Sequence, residues 1–469
     1  MTISLTDGSL GSPQRRALWL RDALEAEVNH EPRRLTGEER FDVAIVGGGF
    51  TGMWTALELI KRAPGTRIAL LEADICGAGA SGRNGGFAMN WWAKFASLEQ
   101  LCGTEAALEL CQRSAAAVAQ IGSFCAEHGI ADAFKQDGWL WAATNKAQLG
   151  AWENDVASIE RAGAHPFKQL DAAEAAALGG SPQHLGGVFD RSTAAVQPAV
   201  IARALREALV GARVEVYEQS PALSISGRRI SSPQGTLVAD QVVLALNAWS
   251  AQIPELSRGF VVVASDILVT DPIPDGVGPL NQVTISDSRR LVNYYRRTPD
   301  RRMMFGRGGG TLAYRRRITP DFDRPGPRTD GVTEQLWRIY PALRKTLIAE
   351  TWSGPIDYSL SGLPFIVRLR EMPNVIAAAG FSGDGVGPSR LVGELLAQIV
   401  SEGGDAGLPK ALTTVPRKRL PPEPIRYVGG RTVRAATAIR ERAEDNGHRA
   451  SILIRALASL DPTSGGHAH

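Results

Sequence analysis

The sequence predicts an α/β fold, with α+β character overall, in which a domain of strand–glycine loop–helix units carries a second, mainly antiparallel domain. The first observation is a strand, glycine loop, helix and strand at residues 42–72. The second is another strand, glycine loop and helix at 375–400, far away in the chain. The third is the pattern at 260–314, where short apolar runs between polar turns are typical of antiparallel strands.

The unit at 42–72 has the spacing of a dinucleotide-binding loop. A short apolar run, 43–46, predicts a strand buried on both faces, and G-x-G-x-x-G follows at Gly47, Gly49 and Gly52. The first glycine permits a tight turn, the second lets a pyrophosphate approach the backbone, and the third allows close helix–strand packing. The alternative is an ordinary glycine-rich turn, which the preceding strand and the following helix disfavour.

An acidic residue, Glu72, closes the second strand twenty residues after Gly52. A carboxylate at this position accepts hydrogen bonds from a ribose diol. It also repels a 2′-phosphate, so NADP is disfavoured, while FAD and NAD remain open. The helix predicted at 51–62 turns its free N–H groups and the positive end of its dipole toward the phosphates.

Length and composition set the broad class of the protein. With 469 residues we expect two domains, and the net charge of +3 does not suggest nucleic-acid binding. The four cysteines show neither C-x-x-C spacing nor nearby histidine clusters, so we expect free thiols, no metal site and a reducing compartment. No apolar run is long enough to span a bilayer and no apolar leader is visible, so we expect a cytoplasmic protein.

A second glycine-rich segment, 75–95, follows the dinucleotide unit and includes two adjacent tryptophans. Glycines let the backbone approach a flat ligand closely, Arg83 and Asn84 supply hydrogen-bond donors, and Trp91 and Trp92 supply ring faces. We therefore expect this segment to face a cofactor and a substrate. The alternative is a flexible loop capped by two core tryptophans.

The antiparallel region contains the candidate substrate-binding residues. Arg296 and Arg307 lie on predicted strands, where a clamp for a carboxylate or phosphonate is expected. Tyr294 and Tyr295 are expected to line the pocket together with the two tryptophans. For either arginine alone, a surface position on an exposed strand face is an equally good interpretation.

Two long helices are predicted outside these motifs. An alanine- and leucine-rich stretch predicts a helix at 98–128, and an arginine-rich stretch predicts the last helix at 431–460. The mixed charges of the last helix favour a solvated helix, or a clamp on the body of the protein, over a nucleic-acid or membrane site. Between 138 and 143 the sequence GWLWAA predicts a strand.

Over residues 41–400 the chain resembles the D-amino-acid-oxidase-like superfamily of FAD-dependent oxidoreductases. The resemblance rests on motifs in a specific order: IVGGGFTG with Glu72, GAGASGRNGG (77–86), VVLALNAWS (242–250), WSG…GLP (352–364) and AAGFSGDGVGPS (378–389). Within the group the chain is similar to gamma-glutamylputrescine oxidoreductase-like proteins, and more closely to a branch labelled aminophosphonate oxidoreductases. The closer likeness rests on RALWLRDAL (16–24), NGGFAMNWWAKF (84–95), FGRGGG (305–310) and PEPIRYVGG (422–430).

The resemblance implies a Rossmann-like FAD-binding domain and a mainly antiparallel substrate-binding domain over the flavin ring. The implied parts are an N-terminal arm at 1–40, a discontinuous FAD-binding domain at 41–100, 186–255 and 350–405, a substrate-binding domain at 101–185 and 256–349, and a C-terminal basic helical extension at 406–469.

The same resemblance implies which residues bind FAD. They are Gly47, Gly49, Phe50, Thr51, Gly52 and Glu72 at the ADP half, Ser81, Arg83, Asn84, Gly85 and Gly86 along the ribityl chain, and Asn247, Gly383, Asp384 and Gly385 toward the flavin's pyrimidine edge. Many family members carry histidine where Asp384 stands, which leaves the electrostatics of that edge open.

Some relatives attach FAD through a cysteine late in the chain. No cysteine follows Cys125 here, so we expect non-covalent FAD.

The implied reaction is the oxidation of a primary or secondary amine, such as an amino acid, an aminophosphonate or a γ-glutamyl amine. The amine binds neutral, a hydride passes to flavin N5, and water hydrolyses the resulting imine. Reduced FAD is then reoxidised by oxygen or another acceptor. Because the flavin carries the difficult step, the sequence nominates no catalytic side chain.

Two other functions remain as alternatives. The chain could be the FAD-binding subunit of a larger oxidoreductase complex, with the basic C-terminal helix as its docking element. An NAD-linked dehydrogenase would use the first motif alone, and the second glycine unit at 380–387 disfavours it. The expected partner is a small-molecule amine, while an oligomer or a separate electron-acceptor partner remains open.

Overall fold

The computed structural model describes residues 2–5, 16–27, 31–324, 326–404, 408–413 and 420–461. The helices are α1 (Leu18–Glu25), α2 (Phe50–Arg62), α3 (Phe95–Cys102), α4 (Thr104–Glu127), α5 (Glu153–Arg161), α6 (Ala172–Gly179), α7 (Pro198–Gly211), α8 (Arg328–Ile339), α9 (Val386–Glu402), α10 (Lys410–Thr413), α11 (Ile425–Asp445) and α12 (Ile452–Ala458).

The strands are β1 (Ile3–Ser4), β2 (Gly37–Val46), β3 (Ile68–Leu71), β4 (Phe87–Ala88), β5 (Phe134–Lys135), β6 (Trp139–Ala142), β7 (Phe167–Leu170), β8 (Gly187–Asp190), β9 (Ala194–Val196), β10 (Glu215–Tyr217), β11 (Ser224–Ser226), β12 (Arg229–Ser231), β13 (Gly235–Leu244), β14 (Phe260–Pro272), β15 (Thr284–Asp287), β16 (Asn293–Arg297), β17 (Arg302–Arg307), β18 (Ile348–Ser359), β19 (Phe365–Leu369) and β20 (Met372–Ala379).

The first large sheet has a parallel centre in the order β10-β3-β2-β13-β20. Its strands are apolar on both faces, as a parallel sheet covered by helices requires. The carboxyl ends of parallel strands lie at one edge, so the glycine loops after β2 and β20 open on the same side of the sheet, separated by β13. The predicted α/β fold with two distant glycine units is confirmed.

One face of this sheet is covered by α2, α4 and α9, which share one apolar core. The core joins Trp54 of α2, Val118 of α4 and Leu395 of α9, all buried. Helix α4 therefore packs on the dinucleotide domain, although residues 101–185 were expected in the substrate domain. The helix predicted at 98–128 is also two helices, because Gly103 with φ of +83° breaks it.

The second large sheet has the order β18-β14-β17-β16-β15-β6-β8-β7, and its neighbours are antiparallel except for the parallel pair β15–β6. Helix α8 covers one face with apolar side chains such as Leu336 and Ile339. Strands β8 and β18 were expected in the cofactor domain. Both belong to this sheet, since β8 pairs with β6 and β18 pairs with β14 along most of its length.

The described N-terminal and C-terminal segments of the chain pack against the rest of the protein. Helix α1 buries Trp19 against Trp352, with ring centroids 5.4 Å apart. The single last helix predicted at 431–460 is two helices, α11 and α12, because the chain turns at Gly447 with φ of +71°. Residues 1, 6–15 and 28–30 of the predicted arm, and 406–407, 414–419 and 462–469 of the predicted extension, lie outside the described residues. In the described chain, no helix combines the length and apolar character needed to cross a membrane.

Candidate functional site

A cavity of about 750 Å³ extends between the two large sheets. Its wall includes the loop after β2, the glycine-rich segment after β3, the loop after β20, the end of β15, the residues directly after β17, and one face of α11. Two glycine loops from distant parts of the chain and one face of the antiparallel sheet thus meet around a single space.

The first glycine loop has the close contacts that its motif predicts. Gly47 has φ of +114°, and a Cβ there would lie 2.4 Å from the carbonyl oxygen of Ala245 on the neighbouring strand. A Cβ on Gly52 would lie 2.1 Å from the carbonyl oxygen of Gly47, so helix α2 can approach the loop only because residue 52 lacks a side chain. Helix α2 begins directly after Gly49, which lines the cavity with Phe50.

Glu72 lies at the cavity wall, just after β3. Its carboxylate accepts hydrogen bonds from the backbone N–H groups of Gly48 at 2.8 Å and Asp74 at 3.0 Å. Burial raises the pKa of Glu72 to about 7, against the effect of these two donors. The carboxylate is therefore held at the first glycine loop, where a ribose diol would meet it.

The glycine-rich segment after β3 is tied to the start of α2. Ser81 Oγ accepts a hydrogen bond from Phe50 N at 2.8 Å. The amide of Asn84 donates to the carbonyl oxygens of Ala80 and Ser81, and its Oδ1 accepts from Gly86 N at 2.8 Å. The side chain of Asn84 thus stabilises the loop. Both Asn84 and Ser81 line the cavity.

Arg83 borders the cavity, but its guanidinium group is engaged inside the protein. It pairs with Asp323 at 2.8 Å and donates to the carbonyl oxygens of Ala78 and Ser353. The sequence suggested that Arg83 donates to the cofactor. In the structure its guanidinium group instead joins the glycine-rich segment to Asp323 and Ser353.

The second glycine loop is anchored by a carboxylate that the sequence analysis missed. Asp357 on β18 accepts hydrogen bonds from Gly380 N and Phe381 N, and from Asn247 Nδ2 at 3.3 Å. Burial raises the pKa of Asp357 to about 7, against these donors. Asn247, which has φ of +47°, and the second loop are thereby fixed to one strand of the antiparallel sheet.

Within this loop, Gly383 has φ of +84° and lines the cavity with Asp384 and Gly385. The Oδ1 atom of Asp384 is buried and, in the part of the chain that the structure describes, has no hydrogen-bond partner. Burial raises the pKa of Asp384 to about 6, and the positive charge of Lys94 opposes this shift. An unpartnered buried acceptor on the wall is consistent with a site that receives a polar ligand edge.

Only one of the six predicted substrate residues, Tyr294, lines the cavity. Its hydroxyl is 2.8 Å from Ser265 Oγ, and its ring packs edge-on against Phe87. Arg296 lies behind the cavity, 2% exposed, and donates to the carbonyl oxygens of Gly85 at 2.8 Å and Val196 at 2.9 Å. Burial lowers the pKa of Arg296 to about 10, and its contacts hold the glycine-rich segment in place.

The other four predicted residues also lie off the cavity wall. Arg307 donates to Asn293 and pairs with Glu441. Tyr295 is fully buried, where its hydroxyl lies 2.8 Å from His184 Nε2. The two adjacent tryptophans belong to the core beneath α4, so the alternative of core tryptophans fits the geometry; they are Trp91 and Trp92.

Two aromatic residues that the sequence analysis left unassigned line the cavity instead. Trp139 and Trp141 lie on β6 and stack with ring centroids 5.7 Å apart. The alternation W-L-W in the predicted strand 138–143 could have indicated them, because alternate residues of a strand share a face. Trp139 Nε1 donates to Ser286 Oγ, which fixes that ring at the wall.

Two further expectations concern metals and cysteines. Among the described residues, no group of three or more His, Cys, Asp or Glu side chains is placed to hold a metal ion. All four cysteines are described and free, and none of them lines the cavity.

Residues 42–399 match the family model described as FAD dependent oxidoreductase (DAO). The gamma-glutamylputrescine oxidoreductase of Escherichia coli (strain K12) is 29% identical over 413 residues, covering 84% of this chain and 89% of that protein. A probable oxidoreductase, OrdL of Rhizobium meliloti (strain 1021), is 29% identical over 378 residues, covering 78% of this chain and 84% of that protein. The crystal structure of glycine oxidase from Geobacillus kaustophilus superposes with a TM-score of 0.66 at 22% identity, covering 81% of this chain and 99% of that one, and supports the fold.

Proposed function

The chain belongs to the family of FAD-dependent oxidoreductases (DAO), and from this premise we propose that it oxidises a primary or secondary amine to an imine, which water then hydrolyses. The observation that carries the proposal is the single cavity in which the dinucleotide loop, the second glycine loop and an aromatic wall of the antiparallel sheet meet. Relatives that act on amines or amino acids, such as gamma-glutamylputrescine oxidoreductase and glycine oxidase, support the same class of substrate.

The residues of this cavity fit FAD. The first glycine loop lies on the cavity wall without side chains at Gly47 and Gly49, so that a pyrophosphate can approach its backbone, and Glu72 lies beside it for the ribose. The unpartnered Oδ1 of Asp384 and the backbone of Gly383 offer polar contacts to the far end of the cofactor. We propose that FAD is bound non-covalently, since all four cysteines lie away from the cavity.

When bound, FAD would supply a two-electron oxidation of the carbon next to the amine. The chain supplies the surroundings of that carbon. Trp139, Trp141 and Tyr294 give the substrate side of the cavity a largely apolar wall, which disfavours a charged ammonium group and favours the neutral amine.

An anaerobic visible spectrum of the purified protein, before and after addition of amines, tests the proposal. The panel contains glycine, sarcosine, D-alanine, 2-aminoethylphosphonate and γ-glutamylputrescine. We expect the flavin bands to bleach with at least one of them, and readmitted air to show whether oxygen is the acceptor. Glycine betaine is the matched control, because a quaternary nitrogen has no lone pair with which to form an imine.

Two outcomes would contradict the proposal. Purified protein that binds no flavin, even after reconstitution with FAD, would remove its premise. Bound flavin that no amine bleaches would instead favour the alternative of an FAD-binding subunit in a larger oxidoreductase complex.

A further inference from the structure

Helix α11 forms part of the cavity wall, although it lies beyond residues 42–399, which match the family model. Four of its side chains line the cavity, at consecutive turns of one face: Thr437, Arg440, Glu441 and Glu444. The substrate end of the cavity therefore contains residues that the family's common core does not supply.

Helix α11 is attached to the antiparallel sheet through two carboxylates. Glu441 is 4% exposed and accepts hydrogen bonds from Leu291 N at 2.9 Å and Arg307 Nη2 at 3.3 Å. Asp445 pairs with Arg289 and accepts from Asn145 Nδ2 at 3.0 Å. These contacts clamp α11 onto the segment directly after β15.

The same contacts hold the segment that contains Arg290 against the part of α11 that contains Arg440. Arg290 lies between Arg289, which pairs with Asp445, and Leu291, which donates to Glu441. Arg440 directly precedes Glu441 on α11. Both arginines line the cavity, so the attachment of α11 adds Arg440 to a wall that already contains Arg290.

The charges at this end do not cancel. Among the described residues, ion pairs join four arginines to four carboxylates, and Arg290 on the cavity wall adds a fifth positive charge; the paired residues are Arg289, Arg307, Arg338 and Arg440 with Asp287, Glu441, Glu444 and Asp445. Arg290 is the arginine for which the described residues provide no ion-pair partner. A cavity wall with an excess positive charge is matched to an anionic ligand group.

Two donor nitrogens of Arg440 remain available for a ligand. Its Nε donates to Glu444 at 2.7 Å, and within the described chain no hydrogen bond engages its two terminal nitrogens. The terminal N–H groups of a guanidinium match the two oxygens of a carboxylate or phosphonate.

We propose that Arg290 and Arg440 bind the anionic group of the substrate, so that the substrate is an amine that carries a carboxylate or a phosphonate. That the bound anion belongs to an amine substrate rests on the proposed amine oxidation. The anion site itself can be tested without turnover. It replaces Arg296 and Arg307 as the anion clamp, since both are engaged elsewhere in the protein.

The test is calorimetric titration of the FAD-loaded protein with acetate and with methylphosphonate, which carry the anionic groups but no amine. We expect Arg290→Gln and Arg440→Gln each to raise the dissociation constant by about tenfold or more, because charge-assisted hydrogen bonds are lost. Arg442→Gln is the matched control, since Arg442 lies on the same helix, is exposed and does not line the cavity. Tighter binding of one probe than the other by the unsubstituted protein identifies the anionic group.

Flavin reduction then separates this inference from the proposed function. Anion binding that both substitutions weaken, in a protein whose flavin no amine bleaches, would support the anion site and contradict amine oxidation. Equal anion affinity in the unsubstituted protein, Arg290→Gln and Arg440→Gln, with melting temperatures also equal, would overturn the anion site and leave amine oxidation standing.

Discussion

Arg83 and Asp323 form an ion pair at 2.8 Å in which both side chains are almost completely buried, with 2% and 3% exposed. Arg83 lies in the glycine-rich segment at the cavity, and Asp323 lies just before α8 on the antiparallel domain. The pair therefore fixes the segment before α8 relative to the glycine-rich loop at the cavity.

Replacement of Arg83 by Met is expected to destabilise the protein by about 3–5 kcal/mol, because Asp323 then loses its guanidinium partner inside the protein. The measurement is the free energy of urea-induced unfolding. Arg228→Met is the control, since the Arg228–Asp240 pair is 65% and 62% exposed, and we expect no measurable change there. A stability of Arg83→Met equal to that of the unsubstituted protein would show that the pair contributes nothing.

Gly52→Ala is expected to abolish most FAD binding. The new Cβ would lie 2.1 Å from the carbonyl oxygen of Gly47, so α2 and the first glycine loop would have to separate. The ratio of flavin to protein absorbance after purification measures the effect. Gly211→Ala serves as the control, because a Cβ at Gly211, also in a helix, meets nothing within 4 Å. Unchanged flavin content in Gly52→Ala would contradict the assignment of this loop to the cofactor.

The stability of the FAD-free protein is expected to fall as the pH rises from about 4.5 to 7, in part because of Glu72. Burial raises the pKa of Glu72 from 4.5 to about 7, so the folded state binds more protons than the unfolded state in this range. Unfolding free energies at pH 5 and pH 8 measure the slope. Glu72→Gln should flatten it, because a neutral amide stands where the carboxylate would be buried. The exposed Glu371→Gln is the control, and equal slopes in all three proteins would contradict the assignment.

Asp445→Asn is expected to loosen α11 from the antiparallel sheet. The substitution removes the charge that pairs with Arg289, and hydrogen bonds to charged groups contribute about 1.5–3 kcal/mol. Amide hydrogen exchange of residues 425–445 should therefore be about tenfold faster or more. In Arg442→Gln, which alters an exposed side chain of the same helix, exchange should keep its original rate. Unchanged exchange in Asp445→Asn would show that other contacts suffice to hold α11.

The geometry of the first glycine loop could be predicted from the sequence because it is local. Gly47, Gly52 and Glu72 lie within one strand–loop–helix–strand unit, where the positions of the glycines and the acidic residue follow from the turn itself. The breaks at Gly103 and Gly447 were missed although each carries a signal, since a glycine can adopt a positive φ at a helix end.

The substrate end depends on contacts between distant segments, and the sequence does not reveal these. Arg296 looked suited to bind an anion, but the carbonyl oxygens of Gly85 and Val196 already occupy its donors. Trp91 resembled a pocket residue and is covered by α4. Arg440 had no motif around it, and its position at the cavity follows only from the way α11 is attached to the sheet.

The pairing of β13 with β20 has a consequence for the timing of assembly during translation. The first glycine loop follows β2 early in the chain, whereas β20 and the second loop come more than 300 residues later. A ribosome-bound nascent chain can form the first glycine loop and the strands beside it long before the second loop exists. The cavity between the two loops is therefore completed late, after the last strand of the parallel sheet has emerged from the ribosome.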